Sequence, residues 1–102
     1  MIYRTREGIE YDLSVLNPEE RYVLEGFKEA FLEVQSWISF HNRFALAVEG
    51  LSKKARSEKW QEHPLYIVWS DMIGAVGIRK GEMRGERREL SDLFINSKRT
   101  RT

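Results

Sequence analysis

The sequence predicts a mainly α fold, a compact bundle of four to five helices with a short N-terminal β-hairpin. Three observations lead there. Apolar residues recur at the 3, 4 and 7 offsets of a helix in three separate stretches. Prolines stand where two of those stretches begin, in first-turn positions that need no N–H. The opening residues instead alternate around a glycine, as strands do. The 102 residues suit a single domain, read as a hairpin over 1–16, a helical core over 17–96 and a mobile basic tail over 97–102.

In chain order, residues 2–13 are expected to form two short strands around Arg6-Glu7-Gly8, with Gly8 supplying the positive φ of a tight loop. Ile9, Tyr11 and Leu13 alternate with polar neighbours. Such a hairpin is marginal alone, so it must pack on the helices as a flap or pair with another chain. Asn17-Pro18-Glu19-Glu20 is a helix start, with Asn as the cap and acidic residues at the positive end of the dipole. Val23, Leu24, Phe27, Phe31 and Val34 make the buried stripe of this helix, and Gly26 is read as room for a neighbouring helix.

Ser36 can cap a second helix, whose stripe is Trp37, Phe40, Phe44, Ala47, Val48, Leu51 and Ala55. With almost no loop between them, the two helices should bend sharply or form one kinked rod. His41 lies one residue off the stripe and reads as a boundary residue, not a metal ligand, because no second ligand appears at helical spacing. Residues 52–63 are polar and mixed in charge, with Trp60 either a lid on the core or a partner contact. His63 belongs at the entrance of a third helix, which Leu65, Val68, Trp69, Met72, Ile73 and Val76 define and which is expected to end at Gly77 on a left-handed glycine.

The run Met72-Ile73-Gly74-Ala75-Val76-Gly77-Ile78, followed by Met83, resembles the helix-turn-helix of phage-repressor-like transcription regulators and antitoxins over residues 64–88. The resemblance implies a glycine turn after Val76 and a second helix lying in the DNA major groove. That second helix should be short or form only on DNA, since Gly81 and Gly85 each cost about 1 kcal/mol in a helix interior. On this reading Arg79, Lys80, Glu82, Arg84, Arg87 and Arg88 face the DNA, with Arg or Lys on guanine edges or phosphates. The wider pattern, Y-R-T-x-x-G with H-P-L-Y and G-I-R-x-G, is similar to small uncharacterised bacterial proteins of repressor-like or antitoxin-like character.

The charge distribution points the same way. The chain carries a net charge of +1, yet residues 79–102 hold eight Lys/Arg against four Asp/Glu, while residues 1–78 hold nine against twelve. A polyanion would approach the C-terminal quarter. A balance this small binds weakly, so a DNA-binding form is expected to be a homodimer. The alternative is a helical protein-interaction module without nucleic-acid binding, which takes a partner such as a toxin through Trp60 and a last apolar patch of Leu90, Leu93 and Phe94.

The absence of cysteine removes disulfides, thiolate metal sites and a Cys nucleophile. No membrane span, secretion leader or glycine-rich phosphate loop is present, so a cytoplasmic, non-enzymatic protein with no cofactor is expected.

Overall fold

The computed structural model describes residues 1–48 and 60–95. Its elements are β1 (Ile2–Arg4), β2 (Glu10–Asp12), a 3-10 turn (Leu13–Val15), α1 (Pro18–Glu33), α2 (Trp37–Val48), a second 3-10 turn (Trp60–Glu62), α3 (Pro64–Arg79), α4 (Leu90–Leu93) and β3 (Phe94–Ile95). The fold is mainly α, with α1, α2 and α3 packed on one another. It is not a pure bundle. A three-stranded antiparallel sheet of order β2-β1-β3 joins the helices, and no described helix is long and apolar enough to cross a membrane.

The helix starts form as the local sequence dictates. Asn17 accepts from the Glu20 N–H at 2.8 Å, and the Glu20 side chain accepts from the Asn17 N–H at 3.0 Å, so two otherwise orphaned donors of the first turn are satisfied together. His63 caps α3 by accepting from the Leu65 N–H at its Nδ1, 3.1 Å away. That lone pair requires the proton on Nε2, which then donates to the other Glu20 oxygen at 2.7 Å. One carboxylate therefore ties the starts of α1 and α3 together. Ser36 accepts from the Ser39 N–H at 3.1 Å and opens α2.

The expected stripes are the core. Val23, Leu24, Phe27 and Phe31 of α1 and Val34 at its C-cap are all buried, as are Phe40 of α2 and Leu65, Val68, Trp69, Met72 and Val76 of α3. Trp37, Phe44 and Ala47 pack against this core from α2; Leu51, Ala55 and the tail at 97–102 lie outside the described residues, as does the side chain of Trp60. Gly26 differs from expectation. A Cβ there would meet nothing within 4 Å, so no described helix approaches it.

The end of α3 is the largest correction. The helix does not stop at Gly77 but continues to Arg79, and the left-handed glycine is Gly81, at φ 79°. The Gly81 N–H reaches the Ile78 carbonyl at 3.1 Å and the Glu82 N–H reaches the Gly77 carbonyl at 2.7 Å, the paired bonds of a Schellman cap. Gly77 is a glycine for another reason: a Cβ there would sit 2.8 Å from the Met83 side chain, which folds back across the helix. Residues 80–89 then run as turns and extended chain, with Gly85 at φ 146°, so the second helix of the helix-turn-helix pattern is not formed.

The hairpin forms as expected, with Tyr3 opposite Tyr11 and Gly8 at φ 93°. The third strand was not anticipated. Phe94 pairs with Tyr3 and Ile95 with Ile2, which makes β1 the central strand and draws the C-terminal patch into the core.

Candidate functional site

The six residues expected to face DNA do not form one free surface. The Arg79 guanidinium donates to the Phe31 carbonyl at the end of α1 and lies over the Phe31 ring, 4.3 Å from its centroid. Burial pulls its pKa below the usual guanidinium range, although it remains a cation. Glu82 accepts from the Trp37 N–H at 2.9 Å and so caps the start of α2. Arg87 donates to the Arg79 carbonyl at 3.0 Å, the favourable place for a cation at a helix C-terminus. Arg88 stands 3.7 Å from Glu86, with its Nε buried and unpaired. Only Lys80 and Arg84 are exposed and, among the described residues, without a hydrogen bond or ion pair.

The patch assigned to a partner is also mostly internal. Leu93 is 1% exposed and belongs to the core, while Leu90 and Phe94 pack partly buried against it. The Phe94 ring meets Tyr3 edge-on at 4.9 Å, and the Lys28 ammonium sits 4.9 Å from its centroid. These residues close the sheet and leave little for a partner. His41 is exposed, with its ring 5.4 Å from that of Trp69, and no cluster of His, Asp or Glu suited to a metal occurs among the described residues.

Among the described residues an opening lies elsewhere, between the hairpin and α3. Cross-strand partners share a face, so Tyr3, Thr5, Ile9 and Tyr11 all look toward α3. Tyr3, on the central strand, is wholly buried, while Tyr11 and Ile9, on the edge strand, overhang. Beneath them is a cleft of about 440 Å³ whose other wall is Tyr66, Ile67 and Ser70 of α3 with Gln61. That volume lies within the range of ligand-binding clefts.

One end of the cleft is organised by Asp71. Its Oδ2 accepts from the Tyr3 hydroxyl at 2.6 Å, and its Oδ1 accepts from the Arg6 backbone N–H at 3.2 Å and from Arg6 Nε at 3.1 Å. Burial, and then the Asp71 charge, push the Tyr3 phenol well above its ordinary pKa, so at neutral pH Tyr3 is the donor of this bond. These three donors engage both oxygens of the carboxylate. The Arg6 guanidinium lies flat over Gly74, where a Cβ would come within 2.4 Å of Nη2. Gly74 is therefore the seat of an arginine from the hairpin.

Sequence reasoning missed this constellation although a signal was present. Asp71 is the one charged residue between His63 and Arg79, and a carboxylate in so apolar a helix must find partners. Nothing local says that those partners lie in the hairpin. No protein-family model, curated protein or solved structure matches this chain, so its site is read from its own residues.

Proposed function

We propose that this chain is a protein-interaction module that holds an extended segment of a partner in the cleft between β2 and α3. The observation that carries the reading is a sheet edge that no other described strand pairs, beside a formed groove. The Thr5 N–H bonds to the Ile9 carbonyl and the Leu13 N–H to the Met1 carbonyl, each at 2.9 Å. Hydrogen-bonded pairs alternate along an antiparallel ladder, so the polar main-chain groups of Glu10 and Asp12 point away from β1. β2 is an edge strand, and a segment paired along it would set alternate side chains against Tyr11, Tyr66 and Ile67.

The test is selection of peptides from a displayed random library on the purified protein, repeated with Ser70→Trp. Ser70 is exposed on the cleft wall, so the indole fills the cleft without entering the core. Selected peptides are expected to lose about tenfold or more in affinity. Peptides that bind the variant equally well would remove the cleft from the interface.

A second reading, nucleic-acid binding by the basic segment, is favoured among the described residues by Lys80 and Arg84, which stand exposed after α3. DNA retention measured across a salt series should fall in slope by about one per cation when either is replaced by Ala. An unchanged slope removes them from any DNA contact.

A further inference from the structure

We infer that the segment taken by this cleft is a chain end, a peptide whose free C-terminal carboxylate is bound by Arg6. The inference rests on the docking reading above and adds the chemistry of the occupant.

Two features of the cleft argue for an end over a through-running segment. β2 is three residues long, and Glu10 and Asp12 alone offer outward main-chain groups, so the ladder available to a guest is short. The hairpin loop borders the cleft beside the Glu10 end of β2, where Thr5, Arg6 and Glu7 line it together with Asp71. A chain paired along β2 toward Glu10 meets these residues.

Arg6 stands there with Asp71 and Glu7, so its fixed, unused donors, and not the net charge, select which end. Arg6 is immobilised by its backbone N–H, by Nε on Asp71 and by the flat seat over Gly74. These contacts use Nε and leave Nη1 and Nη2 without an acceptor among the described residues, while 36% of the side chain remains exposed. A guanidinium held in place with two parallel donors unused matches a carboxylate in two-point geometry. Asp71 does not compete, because three donors already satisfy it. Glu7 is the other charge on the wall; it is exposed and makes no hydrogen bond among the described residues, so it lacks the fixed geometry that Arg6 has.

The experiment selects peptides from two libraries, one displayed with free C-termini and one with free N-termini. Each selected sequence is then made as acid, amide and N-acetyl forms and titrated by calorimetry. The expected result is selection from the C-terminal library, with amidation weakening binding about tenfold or more. Arg6→Gln should abolish the difference between acid and amide. Gly74→Ala should do the same, since its methyl unseats the guanidinium while Arg6 is retained. This second variant covers the case in which Arg6→Gln loosens the hairpin, and both are checked by their melting curves.

Peptides that bind equally as acid and amide would overturn the inference and leave the docking cleft standing as a site for an internal segment. Peptides that lose affinity only on acetylation would overturn it in favour of an amino terminus on Glu7. No peptide from either library would overturn the docking reading itself.

Discussion

The Tyr3 hydroxyl and the Asp71 carboxylate meet across 68 positions of chain, and this contact makes the hairpin part of the fold. A tyrosine buried among Phe94, Leu93 and α3 needs an acceptor, and a carboxylate on an apolar helix needs donors; each resolves the other. Because burial and the Asp71 charge raise the Tyr3 pKa above its ordinary 10.0, the phenol stays protonated in the fold where the unfolded chain has ionised. Its contribution to stability is complete below pH 10 and is lost as the pH rises beyond it. Tyr3→Phe is expected to cost about 1–3 kcal/mol at neutral pH, with the gap to the wild type narrowing above about pH 10. Urea melts of both proteins between about pH 7 and pH 11 measure this. Parallel pH curves would mean that the hydroxyl contributes no linkage.

At the scale of elements, glycines carry most of the difference between expectation and structure. Gly26, Gly74, Gly77 and Gly81 look alike in sequence but stand in four environments: open space, beneath an arginine, beneath Met83 and in a left-handed cap. The environment sets what a methyl group would do. Gly26→Ala meets nothing and removes the helix penalty of glycine, so it should stabilise the protein by about 0.5–1 kcal/mol, read as a rise in melting temperature. A fall would show that the helix is approached there after all. The end of α3 illustrates the same point. Gly77 and Gly81 are both acceptable stops by propensity, and the choice between them is made by Met83 and by Glu82, which is needed at the start of α2.

For the whole molecule, the C-terminal segment decides the architecture. After α3, residues 80–89 form a strap that caps α2 through Glu82, covers Gly77 through Met83 and returns through Arg87 to the end of α3. It delivers Leu93 to the core and Phe94 to the edge of β1. Leu93→Ala is therefore expected to cost about 2–5 kcal/mol, where a surface patch residue would cost almost nothing. Thermal melts beside the exposed Ser91→Ala decide between a core and a surface role. An effect no larger than that of Ser91→Ala would return Leu93 to the surface and reopen the partner-binding assignment.

What the sequence determined by itself was local. The capping box at Asn17 and Glu20, the His63 entrance to α3, the positive φ at Gly8 and the three apolar stripes all follow from residues within a turn or two of one another. Their physics is capping, backbone sterics and periodic burial, which needs no knowledge of the rest of the chain. The tertiary structure alone decided which glycine ends α3, that β3 completes the sheet, and that Arg6 and Asp71 meet at the head of a cleft. Those outcomes join residues far apart in sequence, where a buried charge or an open strand edge states a need without naming its partner. The basic stretch shows the same division: its arginines carry the right charge for DNA, and only the fold shows Arg79 and Arg87 donating to carbonyls near the ends of α1 and α3.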